Sequence, residues 1–161
     1  MPGMIPHHAQ AIEMSKCAPT RGAGPAIIRL TERIINAQTD EIAMMQRWLK
    51  DRNQVVPVPN PEGMTMIMGG MSHVMLMPGM LDDAQMLELN NARGMEFDRL
   101  FLTYMIQHHR GAISMVQELF SHQGAAQDET VFKFASDVNV DQTTEVNRML
   151  EMLLTLGKGN P

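Results

Sequence analysis

Apolar residues recur at helical spacing along four stretches of the chain. Ile34, Ile35, Gln38, Ile42, Met45 and Leu49 share one face of a segment running from about Pro25 to Arg52. Phe97, Phe101, Met105, His108, Ala112, Met115 and Leu119 form a stripe between Met95 and about His122, and Gly124 supplies a helix stop just beyond. Val131, Phe134, Val138, Val146, Met149 and Leu153 line a fourth stretch, from Asp128 to Leu156. The first helix runs from Met4 to Cys17, with Pro6 tolerable only because it lies near the start. A Pro/Gly-rich loop, Ala18 to Gly24, separates the first two helices. Asp82 or Asp83 caps a short helix reaching about Asn91, and Gly94 marks a break. No stretch reads as a convincing strand. The expectation is an all-α fold in which two helical hairpins form a four-helix bundle.

The two hairpins are copies of one unit. Met4-Ile-Pro-His-His-Ala-Gln-Ala-Ile-Glu-Met14 returns as Met105-Ile-Gln-His-His-Arg-Gly-Ala-Ile-Ser-Met115, with seven of eleven residues identical. Gln38-Thr-Asp-Glu41 is echoed by Gln142-Thr-Thr-Glu145, and the offset grows from 101 to 104, so the second copy carries a three-residue insertion between its motifs. The chain is expected to be one domain over residues 1–161: a first hairpin at 1–54, a Met/Pro/Gly-rich irregular linker at 55–81, and a second hairpin at 82–161. The linker either crosses the bundle or lies along its side.

Composition sharpens this picture at one residue type. Methionine occurs 18 times in 161 residues, while Phe, Trp and Tyr together make seven. Met in helices serves as adaptable core filler. A net charge of −5 gives no reason to expect a nucleic-acid partner. A single cysteine, Cys17, excludes an intramolecular disulfide and a Cys-based zinc site, and no apolar run is long enough to span a bilayer. No leader is visible. Glu96-Phe-Asp98-Arg-Leu-Phe101 leads into the second His-His motif and has no counterpart before the first, so the first copy reads as truncated at its start.

The chemistry-bearing residues lie on the repeated faces. At about 100° per residue, His108, Met105 and Met115 fall within roughly 80° of one another, with His109 at the edge and Asp98 three turns below it. Met4, His7, His8 and Met14 repeat this arrangement without the Asp. Gln38, Glu41, Gln142 and Glu145 point from the partner helices toward the same zone, as supporting residues. Imidazole and thioether together suit a soft ion such as Cu(I) or Ag(I). The competing reading makes the histidines internal hydrogen-bond partners that fix helix register. Di-iron chemistry would need Glu-x-x-His on two helices and zinc hydrolysis a His-Glu-x-x-His, and neither occurs.

The linker adds a separate signal. Met64, Met66, Met68, Met71, Met75, Met77 and Met80, with His73, fall within seventeen residues. Thioethers need no deprotonation, so such a segment binds Cu(I) over a wide pH range. The alternative is a hydrophobic lid docked on the bundle.

The two His-His motifs, the Glu96-Phe-Asp98-Arg-x-Phe101 approach and Gln-x-x-Glu-Ile-x-x-Met-x-x-Trp48-Leu49 resemble domain-of-unknown-function family 305 over nearly the whole chain. The resemblance implies a ferritin-like fold, a bacterial protein exported to the periplasm or secreted, and a link to copper in several members. It singles out His7, His8, His108 and His109 with Met4, Met14, Met105 and Met115 as signature positions. The departure is at the start, where the Asp and Phe preceding the first motif are absent.

The sequence thus favours a Cu(I)- or Ag(I)-binding protein that sequesters the ion or passes it to another copper-handling protein. The alternative is a structural or interaction bundle. An enzyme is the weakest reading, since no nucleophile-base-orienter constellation is visible.

Overall fold

Pro25 at the first helical position presets the backbone for a long helix, and Ile27, Leu30, Ile34, Ile42, Met45 and Leu49 give that helix one continuous buried face. The same logic operates in the other long helices of the computed structural model, which describes residues 1–157. In chain order the elements are α1 (Met4–Lys16), a 3₁₀ turn (Ala18–Arg21), α2 (Pro25–Asp51), β1 (Met64–Met68), β2 (Met71–Met75), α3 (Asp83–Asn91), α4 (Gly94–Ser121) and α5 (Glu129–Leu156). Asp82 caps α3 in a reciprocal capping box with Gln85, and Asp128 caps α5 through the Val131 amide.

Helices α1 and α2 pack as one pair, α4 and α5 as another, and the pairs meet through α1 and α4. Two apolar clusters fill the interior, and α1, α2, α4 and α5 contribute to both. One holds Met14, Leu30, Ile34, Phe97, Phe101, Met105 and Met149. The other holds Met4, Ile5, Ile42, Met45, Ala112, Phe134 and Val138. In α2, α4 and α5 the residues separating the two clusters are predicted polar ones, Gln38, His108 with His109, and Gln142, whereas in α1 the changeover falls at Gln10 and His7 and His8 sit between Ile5 and Ala9 of the second cluster.

The linker departs from expectation. It contains two strands, although the sequence showed none and led us to expect irregular structure throughout. β1 and β2 form an antiparallel hairpin, with Met64 opposite Met75, Met66 opposite His73, and Met68 opposite Met71. Gly69 and Gly70 turn the chain with φ of 59° and 79°, the two positive values that a two-residue hairpin turn of this hand requires. The alternation Met-x-Met is a period-two pattern, but methionine has no strong strand preference, so the pattern does not by itself predict a strand.

After the hairpin, residues 77–81 form a strap over α1 and α4. Gln10 of α1 grips the strap with its whole amide, donating to Leu81 O at 2.9 Å and accepting from Leu81 N at 2.7 Å. At the equivalent place in the second copy stands Gly111, and a Cβ there would lie 1.9 Å from Pro78 O. The repeat is broken where the strap crosses it: one copy supplies a hydrogen-bonding arm and the other supplies room.

Candidate metal centre

Each helical pair carries its two histidines inward, and the interior closes over them completely. His7, His8, His108 and His109 are all 0 % exposed. The rings of His7 and His108 come together across the α1–α4 contact, with centroids 3.8 Å apart. His8 and His109 lie outward of them, at 6.1 and 6.3 Å from their sequence neighbours.

All four Nε2 atoms face an oxygen. His7 Nε2 donates to Pro78 O of the strap at 3.0 Å, and His108 Nε2 donates to the backbone O of His7 at 2.9 Å. His109 Nε2 bonds Glu145 Oε2 at 2.7 Å. His8 Nε2 comes equally close to Glu41 Oε2, at 2.7 Å, but out of line for a good hydrogen bond, so both atoms count as poorly satisfied. A carbonyl oxygen accepts only from N–H, so for His7 and His108 the proton sits on Nε2. Burial, reinforced by the neighbouring His8, lowers the His7 pKa to about 3, and burial followed by the closeness of His7 holds His108 well below the ordinary histidine range. Both are therefore neutral at pH 7, with the lone pair on Nδ1.

Among the described residues, none of the four Nδ1 atoms has a partner, although all are buried. Buried polar atoms are nearly always satisfied, so four equivalent orphans in one layer call for an explanation. An imidazole whose other nitrogen is held by a carbonyl or carboxylate, leaving one lone pair free, is how proteins present histidine to a metal. Among the described residues, no three His, Cys, Asp or Glu side chains converge to hold an ion. An ion held here would have to be bound by few imidazoles together with thioether sulfur.

The sulfurs are sorted across the repeats. Met14 of the first copy and Met105 of the second, both 0 % exposed, belong to one apolar cluster. Met4 and Met115 belong to the other. Beside the latter, a Cβ built on Gly3 would lie 2.9 Å from Met77 Sδ and 3.6 Å from Met115 Cε, so the strap contributes a third thioether. Met4, Met115 and His122 line a pocket of about 330 Å³ there. Met80 is buried, and its sulfur accepts from the Met77 amide at 3.3 Å. The hairpin residues Met66, Met68, Met71, His73 and Met75 stand in solvent, with Met64 partly covered, apart from the helical layer.

The predicted supporting residues divide. Gln38 and Gln142, 2 % and 4 % exposed, join Glu41 and Glu145 around a polar cavity of about 240 Å³ between α2 and α5. Among the described residues, both amide atoms of Gln38 and Oε1 of Gln142 lack partners. Burial alone would raise the Glu145 carboxyl, but the His109 hydrogen bond and the Arg33 guanidinium at 2.8 Å outweigh it and hold the pKa below the ordinary value. Asp98 is turned elsewhere: both its oxygens accept from Gly24 N, at 3.2 and 3.1 Å, closing the N-terminus of α2. Sequence reasoning missed Gln10 and Arg33. The unlike pair Gln10/Gly111 within a matched repeat was a signal for the first, and nothing in the sequence singled out the second.

Fold and site together define a small, mostly helical protein with a buried layer of paired histidines flanked by methionines. The chain belongs to the DUF305 family, a domain of unknown function, whose model matches residues 1–153. It is similar in structure to a DUF305 protein from Streptomyces coelicolor assigned as secreted, with a TM-score of 0.79 and 28% identity over 97% of this chain and 90% of that one. It also resembles CopM in its Cu(II)-bound form, with a TM-score of 0.73 and 26% identity over 96% of this chain and 93% of that one. For CopM in its Cu(I)-bound form the TM-score is 0.69 and the identity 25%, over 94% and 91%. No curated protein matches the sequence.

Proposed function

We propose that this protein binds a soft monovalent metal ion, Cu(I) or Ag(I), to sequester it or pass it on outside the cytosol. The observation that carries this reading is the set of four buried imidazoles whose Nε2 atoms face carbonyl or carboxylate oxygens and whose Nδ1 atoms have no partner. Neutral imidazole and thioether bind without releasing a proton, and both favour Cu(I) over hard cations. Glu41 and Glu145 orient His8 and His109 from outside, and Gln38 and Gln142 border the same polar cavity. Structures of CopM holding Cu(I), Cu(II) and Ag support the reading for a chain of similar fold. In this reading the four long helices act as a ferritin-like four-helix bundle around the ion. A relative described as secreted and ligands that resist oxidation better than thiols support export from the cytosol.

A second reading keeps the histidines as structural staples, and one observation favours it: His108 already ties α4 to the α1 backbone through His7 O. Anaerobic Cu(I) titration against a chromogenic chelator separates the two. The His108→Ala/His109→Ala variant should lose affinity by at least tenfold while its far-UV helix signal persists. Unchanged affinity and stoichiometry would leave the staple reading standing.

A further inference from the structure

The hairpin fixes something that Met-x-Met spacing alone leaves open, namely which side chains share a face. Residues directly opposite one another in an antiparallel pair project to the same side, and so do residues two apart along a strand. The register therefore puts Met64, Met66 and Met68 beside Met75, His73 and Met71 on a single face. Thr65, Ile67, Ser72 and Val74 take the opposite face. One side of the ribbon is a ladder of five thioethers and one imidazole in three rungs, with no carboxylate or ammonium among them.

Core packing does not account for this ladder. Met66, Met68, Met71 and Met75 are 36 %, 55 %, 65 % and 46 % exposed, so the segment is not a lid pressed onto the helices. Neither apolar cluster includes any of them. An isolated two-stranded hairpin has little stability of its own, and a row of unbranched side chains is a poor choice for raising it. Directly opposite Cβ atoms in such a pair lie about 5 Å apart, a separation from which two long thioether side chains, or a thioether and an imidazole, can close on one ion. The Met66–His73 rung offers one sulfur and one nitrogen, and the Met64–Met75 and Met68–Met71 rungs on either side offer further sulfurs.

We propose that this hairpin face is a metal-binding site in its own right, taking Cu(I) or Ag(I) through Met66 and His73 with sulfur from the adjoining rungs. It is separate from the buried histidine layer in ligand set, exposure and position. Its role is capture at the surface, where an arriving ion meets thioethers before reaching the strap methionines Met77 and Met80. The proposal rests on the soft-metal reading given above, and the two stand or fall on different variants.

The test is anaerobic Cu(I) titration of the full chain, paired with X-ray absorption at the copper edge. Three proteins are compared: the parent, a ladder variant (Met66→Leu, Met68→Leu, Met71→Leu, His73→Asn, Met75→Leu), and the His108→Ala/His109→Ala variant. Leucine keeps the apolar bulk and removes only the sulfur, so the helical signal is expected to be unchanged. The ladder variant should lose bound copper relative to the parent and show a lower share of sulfur scatterers. The histidine variant should retain that surface-bound copper while losing nitrogen scatterers. Equal stoichiometry and equal sulfur share in the parent and ladder variant would overturn the hairpin site while leaving the buried one intact. Copper retained by the histidine variant but lost by the ladder variant would support the hairpin site even if the buried reading fails. No copper bound by the parent at all would overturn both.

Discussion

His7 concentrates the chemistry of the site in one side chain. Its Nε2–H is committed to the strap, its Nδ1 is bare, and its ring lies tilted against that of His108. In the unfolded chain an ordinary histidine takes up a proton near pH 6.5, whereas burial delays this in the folded chain to about pH 3. Between those values the unfolded state holds more protons, so lowering the pH drains stability, and above pH 6.5 the effect vanishes. The metal-free protein should show a urea midpoint that is flat near neutrality and falls steadily as pH drops from 6.5 toward 3. In His7→Gln, whose amide can still donate to Pro78 O, the fall should be shallower. Parallel slopes in parent and variant would show that His7 does not contribute. The identity of these key residues was legible in the sequence, because the duplicated His-His motif marked all four. Their hydrogen-bond partners were only half legible. Helical spacing brought Glu41 and Glu145 to the histidines, but it also placed Asp98 on the histidine face, whereas the folded chain uses Asp98 to close the end of α2.

At the scale of elements, the strap is what the repeat does not explain. It lies over both histidine helices, held by Gln10 on one and seated against Gly111 on the other. Gly111→Ala would put a methyl group onto Pro78 O, with no flexible side chain to yield, so either the strap or α4 must shift. The expected cost is about 2 kcal/mol of stability, within the range for overpacking a close contact. Amide exchange at strap residues 79–81 should accelerate relative to that of α4. Wild-type protection there would show that the strap tolerates the displacement. The helices were readable from apolar periodicity, and their observed bounds differ by a residue or so from the expected ones. The hairpin was not, because five methionines at alternate positions carry no preference that separates strand from loop.

At the scale of the whole molecule, binding in the buried layer should couple to folding, since the four histidines come from two hairpins that are far apart in the unfolded chain. A ligand that binds only the folded state stabilises it by about 2.7 kcal/mol at a hundredfold excess over Kd. For a chain of this length that is roughly 5–10 °C in Tm. Anaerobic thermal melts with Cu(I) or Ag(I) should show such a rise in the parent. In the His108→Ala/His109→Ala variant the rise should be much reduced, and an equal rise in both would move the stabilising ion elsewhere. Among the described residues no helix is long and apolar enough to cross a membrane.

The sequence by itself determined the helices, the duplication and the residue types of the site. Those depend on periodicity and on which side chains carry nitrogen, sulfur or oxygen, and both are local properties. Tertiary structure decided what each group faces. It gathered methionines from opposite repeats into shared clusters, gave the Nε2 of each of the four buried histidines an oxygen to face while leaving their Nδ1 atoms bare, and turned Asp98 to a helix end. It also fixed the hairpin register that gathers six potential ligands on one face. These outcomes depend on where separate elements meet, and contacts between residues some seventy to a hundred positions apart leave no periodic mark on the chain.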